Sequence, residues 1–155
     1  MSKRRRTVSV RSSRPIDKSL IYFAQTFTNS QQQDNILSPA AACTATGLRW
    51  SFSVTPTASN GSCIWAIVLL KEGQTADTLE VSTTGASLYD PEQNVLAFGA
   101  YRCGDVTVSK QAQQFEGSTK TMRKLMSGDK IILLTHSDTA SAAVLDGVVQ
   151  VFCRF

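Results

Sequence analysis

Residues 48–55 read Leu-Arg-Trp-Ser-Phe-Ser-Val-Thr. Apolar and polar side chains alternate there with a strict period of two. This puts Leu48, Trp50, Phe52 and Val54 on one face of a strand, and Arg49, Ser51, Ser53 and Thr55 on the other. The first face belongs to a core; Arg49, on the second, is a candidate for an inner or intersubunit contact. Pro56 ends the strand and Asn60-Gly61 turns the chain. Residues 63–70, Cys-Ile-Trp-Ala-Ile-Val-Leu-Leu, are then apolar throughout, the pattern of a strand covered on both faces.

Working outward, Ser19–Thr28 is rich in aromatic and branched residues and reads as a first strand. Asn29–Pro39 is polar and Gln-rich and reads as a loop. A short strand is expected at Thr78–Ser82 and a turn at Asp90-Pro91. Val95–Arg102 is the next strand, with Gly99 marking a bulge or bend. Three more follow at Thr119–Leu125, Lys130–Thr135 and Val144–Phe155. In the last, Val149, Val151, Cys153 and Phe155 share a face. Met126-Ser127-Gly128-Asp129 has the composition of a hairpin connection between the first two. Gln111–Glu116 is the nearest approach to a helix. About eight strands with Gly, Pro and Asn turns indicate an all-β sandwich or barrel.

Charge is divided unevenly. Residues 1–18 hold seven cations (Lys3, Arg4, Arg5, Arg6, Arg11, Arg14 and Lys18) against one carboxylate, Asp17, a net +6. Residues 19–155 hold nine cations against eleven carboxylates, a net −2. The chain is therefore expected to be a basic arm, 1–18, on a β domain, 19–155. So cationic a segment with so few large apolar groups is expected to be disordered alone. It is suited to a polyanion, because phosphate neutralisation by Lys and Arg releases counterions without regard to base sequence; its seven cations, with Arg49, are the candidate nucleic-acid contacts. A nuclear-import signal at Lys3–Arg6 is compatible with that role. A membrane tether lacks its lipidation signal, since Ser2 stands where myristoylation needs Gly. No apolar region follows the N-terminal charges, so no signal peptide is expected, and no run is long enough to span a bilayer.

Catalytic chemistry is sparse, and no enzyme activity is expected. The one histidine, His136, precedes Ser137 and Asp138, but neighbours on a strand point to opposite faces and a triad is a matter of geometry. Cys43, Cys63, Cys103 and Cys153 make no CxxC pair and read as buried free thiols. Asp77, Glu80, Asp90, Glu92 and Asp105 fall in loops or strand ends, where calcium could bind at subunit interfaces; no other cofactor is expected. Trp50, Phe52, Trp65 and Tyr101 are core residues on alternating strands, with base stacking in an OB-type single-strand-binding module as the alternative. Arg123-Lys124 reads as edge protection.

The arm Lys3-Arg4-Arg5-Arg6, the segment Thr119–Leu125 leading through Gly128-Asp129 into Lys130–Leu134, and the closing Gly147–Phe155 together resemble the single-jelly-roll capsid proteins of small viruses. The likeness is nearest to circular Rep-encoding single-stranded DNA viruses whose coats are similar to those of satellite necrosis viruses. The resemblance implies an eight-stranded antiparallel jelly roll that assembles with itself into a T=1 icosahedral shell of about sixty copies. Its arm would grip a single-stranded genome, DNA in preference to RNA, within the virion, after assembly in the host nucleus or cytoplasm. The arm is shorter than the long Arg-rich run of circovirus-like coats. About sixty such arms would carry roughly 360 positive charges, against about one negative charge per nucleotide.

Overall fold

Eight strands form two four-stranded antiparallel sheets. They are β1 (Ile16–Thr26), β2 (Gln32–Leu37), β3 (Cys43–Pro56), β4 (Ser62–Leu70), β5 (Val95–Arg102), β6 (Gln113–Leu125), β7 (Lys130–Ser137) and β8 (Ala143–Arg154). The computed structural model describes residues 16–76, 94–108, 110–140 and 142–155; the strand expected at Thr78–Ser82 and the turn at Asp90-Pro91 lie outside them. One sheet runs β1-β8-β3-β6 and the other β2-β7-β4-β5. The pairing is nested: β1 with β8, β2 with β7, β3 with β6, β4 with β5. Two further pairings, β3 with β8 and β4 with β7, complete the sheets. Among the described residues no helix is long and apolar enough to cross a membrane.

The two stretches that decided the fold in sequence behave as read. Leu48, Phe52 and Val54 are buried between the sheets, with Trp50 packed half-buried beside them. Strand β4 divides its apolar side chains between two clusters. Cys63, Trp65, Ile67 and Leu69 enter the inter-sheet core, and Ala66, Val68 and Leu70 enter a second cluster with Ile132 and Leu134 on the opposite face.

The period of two breaks at Thr46, where a bulge shifts the register of β3 against both neighbours between Ala45 and Gly47. The extra residue lets Cys43 and Ala45 on one side, and Leu48 onward on the other, face the same core.

Each tryptophan lies across a glycine of the neighbouring strand. Trp50 pairs with Gly117 on β6, and Trp65 with Gly99 on β5. A Cβ on Gly117 would come within 2.4 Å of the Trp50 ring, and one on Gly99 within 2.5 Å of the Trp65 ring. The indoles meet edge-on, centroids 6.2 Å apart, and Phe52 packs against Trp65 at 5.0 Å. Edge-on packing sets the positive rim of one ring on the negative face of the next.

Several expectations need correction. Gly99 is not the bulge: it makes room for Trp65, and the β4–β5 register shift falls between Ile67 and Val68. The expected loop Asn29–Pro39 contains β2, whose polar residues hold an edge by pairing with β7 while Ile36 drops into the core. The helix-like Gln111–Glu116 enters β6, because Gln113–Glu116 pair with β3 and Phe115 packs on the core. Residues 126–129 do form a tight turn, with Gly128 at φ 95° and the Asp129 N–H donating to Met126 O at 3.2 Å. That turn is not a hairpin, since β6 and β7 belong to different sheets. The first strand starts at Ile16 rather than Ser19, and Phe155 lies exposed beyond β8.

Candidate nucleic-acid interface

The sheet β1-β8-β3-β6 turns one face inward, and the registers set its outer face in rows. In β1–β8–β3–β6 order, one row is Ile16, Arg154, Thr44 and Lys124, and the next is Lys18, Phe152, Gly47 and Lys120. Then follow Leu20, Gln150, Arg49 and Ser118, and after them Tyr22, Val148, Ser51 and Glu116. A further row is Ala24, Asp146, Ser53 and Gln114. Cations occupy the first three rows and carboxylates the last two. Lys18, Arg49, Lys120, Lys124 and Arg154 are all exposed.

This division has local causes. The two carboxylates are engaged within their own rows: Glu116 Oε1 accepts from the Ser51 hydroxyl at 3.1 Å, and Asp146 Oδ1 from the Tyr22 hydroxyl at 3.1 Å. The bond to Asp146 and its negative charge raise the Tyr22 pKa above the usual phenol value. No carboxylate among the described residues lies within ion-pair distance of Arg49, Lys120, Lys124 or Arg154. The closest of these cations, Lys18 with Arg154 and Arg49 with Lys120, are diagonal neighbours on adjacent strands, about 7–8 Å apart at their backbones, and the cationic end is a positive field that attracts polyanions.

Between these cations lies a shallow depression lined by Lys18, Gly47, Arg49, Lys120, Gln150 and Phe152, among others. Gly47 presents no side chain, so its floor is backbone. The Thr46 hydroxyl, at the bulge, donates to Phe152 O at 3.1 Å and ties β3 to β8 beneath it. The Lys18 ammonium stands over the Phe152 ring, 5.9 Å from its centroid.

Of the eight residues expected to meet nucleic acid, Lys3, Arg4, Arg5, Arg6, Arg11 and Arg14 lie outside the described residues. Lys18 and Arg49 lie inside, in adjacent rows of this one face. Residues 1–15 join the sheet at Ile16, whose row carries Arg154 and Lys124, so the arm is attached at the cationic end. Sequence reading missed Lys120, Gln150, Phe152 and Arg154, and took Lys124 as edge protection. Their even spacing along β6 and β8 was visible, but their convergence depends on pairing between strands far apart in sequence.

Other candidates go elsewhere. Phe52 and Trp65 are buried, and Trp50 and Tyr101 pack against the same core. His136 Nε2 lies 3.2 Å from Asn29 O, Ser137 donates to Thr139 O, and Asp138 accepts the Ser62 N–H at 2.8 Å. The three side chains do not form a relay. All four cysteines are buried, and none is in a disulfide. Burial, with the Cys103 thiol alongside, pushes the Cys63 thiol up to about 12, where a thiolate nucleophile is not available. Of the calcium candidates, Asp77, Glu80, Asp90 and Glu92 lie outside the described residues. Asp105 accepts the Thr107 hydroxyl and N–H at 2.6 and 2.9 Å, which holds its carboxyl below the usual range. Among the described residues, no three His, Cys, Asp or Glu side chains gather as metal ligands. No protein-family model matches this chain, and no curated protein sequence matches it significantly.

Proposed function

We propose that this chain is the capsid subunit of a small single-stranded DNA virus, a jelly-roll domain that assembles into an icosahedral shell around a genome held by its basic arm. The nested pairing of the strands carries the reading. A jelly roll is a long eight-strand hairpin rolled on itself, so its first strand pairs with its last and so on inward. Jelly rolls also serve lectins and cupins, and charge distinguishes among these. The arm is attached at the end of the sheet where five cations collect, which favours a polyanion on that side.

Two edge strands of the sandwich carry exposed apolar side chains suited to contacts between copies. Leu20 and Tyr22 stand out from β1, and Phe98 from β5. Closure of a shell would cover such edges, which otherwise invite uncontrolled pairing. An OB-type binding module is the alternative. Its five-stranded barrel fits the two four-stranded sheets poorly, and the aromatics it would use for stacking lie against the core.

The test is recombinant expression followed by size-exclusion chromatography and electron microscopy. Closed particles of about 1 MDa are expected, the mass of about sixty 16.8 kDa chains. Recovery of monomer or dimer alone across salt and pH would overturn the coat reading and favour the binding module. Deleting residues 2–14 should strip nucleic acid from the purified protein, read as a fall in the 260/280 nm absorbance ratio. A full nucleic-acid load after the deletion would rule out the arm as the main binding element.

A further inference from the structure

We propose that the folded sheet itself, apart from the arm, holds one nucleotide of a single DNA strand, in the depression over Gly47. This deepens the coat reading by adding a second, rigid contact to the same cargo. Phe152 is the stacking platform, and Arg49 and Lys120 take the phosphates on either side of the stacked base. The argument begins with register. Phe152, Gly47 and Lys120 occupy one row, and Gln150 and Arg49 the next.

Arg49 and Lys120 are therefore diagonal neighbours on adjacent strands, about 7–8 Å apart at their backbones. That separation is comparable to one step of an extended strand, so two consecutive phosphates can each meet one cation. Gly47, itself buried, lies against the Phe152 ring and adds no side chain to the floor of the depression. A Cβ there would lie 3.8 Å from Phe152 Cδ2 and 3.2 Å from Thr119 O, crowding the floor a base would cross. Gln150, half-buried at the rim, offers both an amide donor and an acceptor to a base edge.

Lys18 now occupies one face of the ring. An exposed cation–π contact is weaker than the stacking of a base on an aromatic side chain. A base therefore displaces the ammonium, which remains within reach of a phosphate. Glu116, the other diagonal neighbour of Arg49, is held by Ser51 and bounds the patch on its acidic side.

Photocrosslinking tests this on the full-length protein, with oligothymidylate carrying 5-bromouracil as the probe and peptide mass spectrometry as the readout. An adduct on Phe152 is expected; adducts confined to residues 1–15 would overturn the proposal. Phe152→Leu, with folding checked by circular dichroism, should weaken oligothymidylate binding roughly ten-fold. The exposed pair Arg49→Gln and Lys120→Gln should lower the slope of log affinity against log salt by about 1.4, the share of two phosphates on a single strand. An unchanged affinity in the first or an unchanged slope in the second would each sink the subsite. Absence of particles with the Phe152 adduct present would overturn the coat reading alone. Particles with arm-only adducts would overturn the subsite alone.

Discussion

Asp129 is almost fully buried, yet it accepts from Lys71 Nζ at 2.7 Å, Met126 N at 2.9 Å and Glu72 N at 3.1 Å. One carboxylate thus fastens the turn after β6 to the chain leaving β4. Burial by itself would raise its pKa, but the bond from Lys71, the two N–H donors and the Lys71 charge outweigh it and hold the value below the usual range. Asp129→Ala strands two backbone donors and removes the ion pair with Lys71, whose ammonium keeps Lys124 O, and should cost about 3 kcal/mol in urea unfolding. A group depressed in the folded state stabilises above its unfolded pKa, about 3.9, and that stability is lost as pH falls through the folded value. The gap between the wild-type and Ala proteins should therefore begin to narrow as pH falls below about 4 and close only once the lowered folded value has been passed. A gap that persisted there would assign the effect to packing. Gly99→Ala drives a methyl into the buried Trp65 ring and should cost about 1–3 kcal/mol, read as a lower melting temperature with a shifted tryptophan emission.

At the scale of the strand, legibility followed the source of each element's stability. Strands β3 and β4 draw theirs from their own apolar side chains, so periodicity at 48–55 and continuity at 63–70 announced them. Strand β2 draws its stability from the ladder it shares with β7, and Gln33, Asp34 and Asn35 carry no strand signal of their own. Ile36, 2 % exposed, is its one deep anchor. Ile36→Ala should cost about 2–5 kcal/mol and speed amide exchange along Gln32–Leu37 ahead of β7. Slow exchange there after the substitution would show that the ladder alone holds the edge. The cationic face was legible as two scattered residues, Lys18 and Arg49. The rest required knowing that β8 lies between β1 and β3, and no local pattern encodes that. The break at Thr46 was a readable anomaly, because only an extra residue reconciles Ala45 and Leu48 on one face.

For the whole molecule, the proposed cargo grip is electrostatic and so depends on ionic strength. Raising salt from about 0.1 M to 1 M shortens the screening length from about 10 Å to 3 Å. Purified particles should then lose nucleic acid, with a falling 260/280 nm ratio, while the near-UV circular dichroism of the sandwich stays constant. Simultaneous loss of both signals would mean that cargo and fold are one cooperative unit.

Strand β8, the last of the eight in chain order, fills the middle of its sheet with β1 on one side and β3 on the other. A chain made only as far as Ala142 lacks this wedge, and its opening strand has nothing to dock on. The sheet therefore cannot close until β8 has been made, and shorter chains expose unpaired strand edges that tangle with one another. A stop codon after Ala142 should yield aggregate from expression instead of soluble protein.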